Sequence, residues 1–151
     1  MNEFKTVDQI LDFAIDAEQE AVDFYTGLAS NAKNSGMKEV FEDFAKEEMK
    51  HKARLLDVKQ TGIMESSKEK VLDLKIADYL VSVIPTPDMP YQEALIVAMK
   101  KEKAAFKLYM ALSVRAETDA LKDLFLSLAV EESKHKLRFE VEYDEFVLRE
   151  N

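Results

Sequence analysis

Both histidines of this chain stand three residues after a glutamate, in EEMKH at 47–51 and EESKH at 131–135. On a helix an i,i+3 pair projects side by side from one face, so Glu48 with His51 and Glu132 with His135 can each chelate a metal ion. A further glutamate precedes each histidine by 33 residues, Glu18 before His51 and Glu102 before His135. One Glu-x-x-His would be a weak signal in so acidic a chain. Two, each with its distant glutamate at the same spacing, are poorly explained by chance. A glutamate from each of two helices plus Glu-x-x-His from each of two others is the ligand set of paired iron or manganese ions in carboxylate-bearing helix bundles. Carboxylate oxygen with imidazole nitrogen suits those metals better than copper or a thiolate-seeking ion, and iron comes first.

Charge supports the same set. Glu18, Glu48, His51, Glu102, Glu132 and His135 fall at positions where helical patterning alone would place leucine. An unpaired buried carboxylate costs several kcal/mol, and four together would also repel one another. No lysine or arginine shares these positions, whereas two divalent cations balance four ionised glutamates. Glu47 and Glu131 stand four residues before the same histidines, but lie about 100° to the side of the inward face. They are expected to be solvated or to support a ligand. Tyr25 and Tyr109, two turns beyond Glu18 and Glu102, could orient a ligand carboxylate through their phenol oxygens; the alternative is a large core side chain whose hydroxyl finds any partner. Met49 and Met99 are read as packing, not haem ligands.

The elements that must position these residues come from a repeat. Shifted by 84 positions, residues 11–54 align without a gap on residues 95–138, with 16 identities in 44 pairs. Two copies of one supersecondary unit are implied, too few for a solenoid. In each copy one helix carries an inward stripe, Leu11, Ala14, Glu18, Ala21, Tyr25, Leu28, Ala32 in the first and Leu95, Ala98, Glu102, Ala105, Tyr109, Leu112, Ala116 in the second. The next helix carries Met37, Phe41, Phe44, Glu48, His51, Leu55, and in the second copy Leu121, Phe125, Leu128, Glu132, His135, Phe139. This alternating three-four rhythm marks four amphipathic helices. Thr6 with Gln9 fits a capping box, Ser35-Gly36 breaks the first hairpin, Pro90 suits the start of the third helix, and Thr118 or Asp119 could cap the fourth. Residues 62–90 read as a crossover, with a short helix at VLDLKIADYL. The expected architecture is all-α, a single ferritin-like four-helix domain over 1–151, with repeat units at about 7–60 and 91–149.

Composition excludes several alternatives. The net charge of −9 disfavours a nucleic acid or an anionic membrane as partner. With no cysteine there is no disulfide, thiolate nucleophile, rubredoxin or iron–sulfur centre in the chain. No cationic leader or membrane-length apolar run occurs, so the cytoplasm is the expected compartment.

The paired motifs, the crossover DLKIADYL and the stretch YQEALIVAMKKEKAAFKLY together resemble the ferritin-like domain of the rubrerythrin family over nearly the whole chain. That resemblance implies a non-haem di-iron centre with Glu18, Glu48, His51, Glu102, Glu132 and His135 at the ligand positions. It also implies hydrogen peroxide reduction, and suggests a homodimer. The sequence departs from the family twice. It lacks the cysteine-rich rubredoxin domain, so a separate rubredoxin-like protein is the expected electron donor. It also has Ala105 where the family has a further glutamate one turn after the third-helix ligand. That change leaves a more symmetric site, closer to bacterioferritin-type centres, and keeps dioxygen-driven ferroxidase or iron-storage chemistry as the alternative. A manganese catalase-like or substrate-oxidising centre is the third.

Overall fold

In the computed structural model, residues 3–4, 7–32, 35–61, 74–75, 90–116 and 118–150 are described. Four helices dominate: α1 Val7–Asn31, α2 Ser35–Thr61, α3 Tyr91–Arg115 and α4 Asp119–Glu150. The starts of α1 and α3, and their ends, are separated by the same 84 residues as the sequence repeat, as are the starts of α2 and α4. The helix ends have local causes. Pro90 is the N-cap of α3, and its carbonyl accepts the Ala94 N–H at 2.9 Å. Thr118 caps α4, its hydroxyl oxygen accepting the Leu121 N–H at 3.2 Å, so one of the four orphan donors of that terminus is satisfied.

Two expectations shift. Ser35 and Gly36 do not form the break of the first hairpin; they open α2, and α1 ends at Asn31. Serine is well suited to a helix start, and the Ala32 N–H closes the end of α1 on the Ala29 carbonyl. Within the crossover, Leu74–Lys75 is strand instead of helix, paired antiparallel with Glu3–Phe4 in the register Glu3 with Lys75 and Phe4 with Leu74. The pairing gives the backbone groups of both segments partners that isolated extended segments would lack. Thr6 and the rest of the expected crossover helix lie outside the described residues.

α1 packs along α2 and α3 along α4, and two apolar clusters fill the interior. One joins the start of α1 (Leu11, Ala14) to the end of α2 (Leu55), the end of α3 (Leu112) and the start of α4 (Phe125). The other joins the end of α1 (Ala29), the start of α2 (Phe41), the start of α3 (Leu95, Ala98) and the end of α4 (Phe139). Exchanging the two hairpins exchanges the clusters, so an approximate twofold axis relates the repeats. Each fully buried large side chain contributes about 1.5–3 kcal/mol of burial free energy, and the two clusters clamp the polar layer between them. No described helix is long and apolar enough to cross a membrane.

Candidate metal centre

The layer between the clusters holds Glu18 of α1, Glu48 and His51 of α2, Glu102 of α3, and Glu132 and His135 of α4, none more than 4% exposed. The structure brings all six together. Donor atoms of Glu18, Glu48, His51 and Glu132 lie within 4.8 Å of one another, and those of Glu48, Glu102, Glu132 and His135 do the same. Glu48 and Glu132 belong to both groups. His51 Nδ1 is 3.1 Å from an oxygen of each of Glu48 and Glu132 and 3.4 Å from Glu18. His135 Nδ1 is 3.5 Å from Glu102, 3.6 Å from Glu48 and 3.8 Å from Glu132. The imidazole planes lie 15° apart, with centroids separated by 6.2 Å.

Several of these atoms are buried without a hydrogen-bond partner among the described residues: Glu48 Oε1, Glu102 Oε2, Glu132 Oε1 and both Nδ1 atoms. Buried polar atoms rarely go unpaired, and here the orphans converge from three helices, α2, α3 and α4. Clustered carboxylate oxygens and imidazole nitrogens of this kind fit hard or borderline divalent cations, and two groups sharing two carboxylates fit two cations side by side.

The electrostatics of the metal-free protein reflect the crowding. Burial, then the charges of Glu102 and Glu18, pushes Glu48 up to about 8. Glu132 is raised well above the usual carboxylate range by burial and by Glu102, Glu48 and Glu18. Burial alone would lower the histidines, but it is outweighed. Contacts with Glu18 and Glu48 raise His51 to about 10, and Glu102, with Glu48 and Glu47, raises His135 to about 9. Below about pH 8 the site therefore retains protons when it holds no other cations.

Both tyrosines meet the carboxylates, each across the bundle. Tyr25 donates to Oε1 of Glu102, and Tyr109 donates to Oε2 of Glu18. Burial, then the charge of the accepting glutamate, holds both phenols well above their usual range, so they stay protonated donors. Of the two roles open to them in the sequence, orienting a site carboxylate matches this contact.

Glu47 and Glu131 are not among the inner donors. Each lies against the outer nitrogen of the opposite hairpin's histidine, Glu47 at 3.0 Å from His135 Nε2 and Glu131 at 3.5 Å from His51 Nε2. Sequence reasoning missed Arg54, which binds Glu131 at 3.1 Å. The one available signal was that Arg54 and Arg138 are an identical pair in the repeat. It also missed Phe44, whose ring stacks on His135 at 4.4 Å between centroids. Ala105 is partly buried against the cluster that contains Tyr109 and adds no carboxylate to the layer.

A family model described as Rubrerythrin matches residues 9–81 and 93–151. Among solved structures, a Thermotoga maritima protein provisionally described as a ferritin-like diiron-carboxylate protein superposes with a TM-score of 0.81 at 21% identity. The match covers 96% of this chain and 98% of that one. A Pyrococcus furiosus protein with no assigned activity superposes with a TM-score of 0.68 at 28% identity, over 89% of this chain and 86% of that one. No functionally curated protein matches. The fold is thus the ferritin-like four-helix bundle.

Proposed function

We propose that this chain, which belongs to the rubrerythrin family, is a non-haem di-iron oxidoreductase that reduces hydrogen peroxide with electrons from a separate, rubredoxin-like donor. The observation that carries the reading is the pair of buried donor groups sharing Glu48 and Glu132. In this arrangement Glu18 and His51 would hold one ion, Glu102 and His135 the other, and Glu48 and Glu132 would lie between them; manganese fits the same donors. Two ferrous ions held there would supply one electron each, enough, with two protons, to take one hydrogen peroxide to two waters.

The chain's own residues set the conditions for that chemistry. Tyr25 and Tyr109 fix the outer carboxylates while keeping their protons on the phenol oxygens. The apolar clusters on both sides exclude bulk water along the bundle axis. The outer edges of the histidines lie along α2 and α4, where Glu131 and Glu47 are 30% and 42% exposed in their side chains. A small oxidant would therefore approach along this edge.

Stopped-flow absorbance of the reduced, iron-loaded protein tests the reaction. Peroxide should oxidise it faster than dioxygen does, and much faster oxidation by dioxygen would sink the peroxidase reading. Ala105 favours a second reading, because a site without the additional family carboxylate is closer to a symmetric ferroxidase centre of ferritin or bacterioferritin type. Size-exclusion chromatography separates the two cheaply: a homodimer accompanies the first, a large shell the second.

A further inference from the structure

The inner donors obey the approximate twofold, but the groups behind them do not. Glu47 and Glu131 are equivalent in the repeat, as are Arg54 and Arg138, yet among the described residues only Arg54 binds one of these carboxylates. Arg54 Nη1 is 3.1 Å from Glu131 Oε2, leaving the other oxygen of Glu131 at 3.5 Å from His51 Nε2, beyond a good hydrogen bond. Glu47, with no arginine partner among the described residues, closes to 3.0 Å on His135 Nε2. A second difference lies beside the same histidine. Phe44 stacks on His135, whereas the repeat places Leu128 at the equivalent position.

We infer that Glu47 and Glu131 are positioning residues for the two histidines, and that Arg54, by drawing Glu131 away from His51, makes the two metal positions unequal, with the His135 position the tighter. The inference rests on the two-metal reading of the site. A carboxylate on the outer nitrogen holds its proton there, which leaves Nδ1 as a lone-pair donor facing inward, and it fixes the ring and raises its basicity. A carboxylate shared with a guanidinium gives up part of its negative charge to the stronger bidentate-capable donor, so it supports the imidazole less. Glu47, Glu131 and Arg54 are all partly exposed, so replacing them leaves the core clusters intact.

Anaerobic titration of the metal-free full chain with cobalt(II), followed by visible absorbance, tests this. The wild type should take up two ions in two resolved steps. Glu47→Gln should weaken the tighter step roughly 10- to 100-fold and alter its absorption bands, while Glu131→Gln acts on the weaker step alone. Arg54→Gln should tighten the weaker step and narrow the gap, and Arg138→Gln should change neither. Glu47→Asp should recover part of what Glu47→Gln loses, which a loss of folding would not permit. Two equal, unresolved wild-type steps would overturn the inequality. Shifts below about twofold in both Glu→Gln variants, or equal effects of the two arginine variants, would overturn the positioning roles. Uptake of fewer than two ions by the wild type would instead remove the two-metal reading itself.

Discussion

Tyr109 of the second hairpin donates its phenolic hydrogen to Glu18 of the first, and Tyr25 returns the same bond to Glu102. The two bonds tie the hairpins together at the level of the polar layer, between groups 91 and 77 residues apart. Tyr109→Phe keeps the ring and removes only the donor, leaving a buried carboxylate oxygen short of a partner. Such a loss costs about 1–3 kcal/mol. Urea unfolding of the metal-free protein should show a destabilisation of that size, and iron(II) affinity should fall roughly 10- to 100-fold, because the outer carboxylate loses its orientation. Unchanged affinity would mean that Tyr109 only fills space.

Proton uptake by the metal-free site predicts how stability varies with pH. In the unfolded chain the glutamates titrate near 4.5 and the histidines near 6.5, while in the folded one Glu48 is raised to about 8, His51 to about 10 and His135 to about 9. The folded state thus binds more protons than the unfolded state between about 4.5 and 10, and stability falls with rising pH across that window. The histidine contributions are complete below 6.5 and gone above 9 to 10; the penalty at Glu48 grows from 4.5 and is complete above 8. With chelator present, the melting temperature should fall from pH 5 to pH 9. Metal ions displace these protons, so iron(II) affinity should rise with pH and the loaded protein should lose less stability. A metal-free melting temperature that rises over this range would contradict the proton inventory.

Phe41 and Phe125 occupy equivalent positions in the repeat but sit in different apolar clusters, both almost fully buried. Each truncation to alanine should cost about 3–5 kcal/mol in urea unfolding. With the polar layer between them, the losses should add to within about 0.5 kcal/mol. A strongly sub-additive pair would mean that the two clusters form one packing unit.

The repeat and the Glu-x-x-His pairs made the four helices and the six inner residues legible, because helical spacing is local and a buried charge interrupts it visibly. Pairings between distant residues were not legible in that way. Periodicity places Tyr25 on the inward face but cannot specify that its partner is Glu102 on the other hairpin. Arg54 and Arg138 are indistinguishable in sequence, and the arginine that reaches a carboxylate depends on small differences in side-chain packing. Leu74–Lys75 carried an apolar rhythm compatible with a helix, yet pairs as a strand with Glu3–Phe4. Helical phase sets Glu47 and Glu131 beside the inward face, while the histidine each approaches depends on the antiparallel arrangement of α2 and α4.

Glu132 should show opposite effects with and without metal. It belongs to both donor groups, and in the metal-free protein it is a buried carboxyl crowded by Glu102, Glu48 and Glu18. Glu132→Leu relieves that crowding with a side chain of similar volume, while His51 keeps Glu18 and Glu48 as partners. The metal-free variant should therefore melt at or above the metal-free wild type. With iron(II) at about 1,000 times its dissociation constant, each bound site stabilises the wild type by about 4 kcal/mol, and this variant should gain little because both positions have lost a shared carboxylate. Glu18→Leu removes a donor from one group only, so it should retain one ion per chain where the wild type holds two. Anaerobic iron(II) titration with calorimetric melting reads both quantities. Two ions retained by Glu132→Leu would show that the carboxylates shared in the metal-free geometry are not shared by the metals.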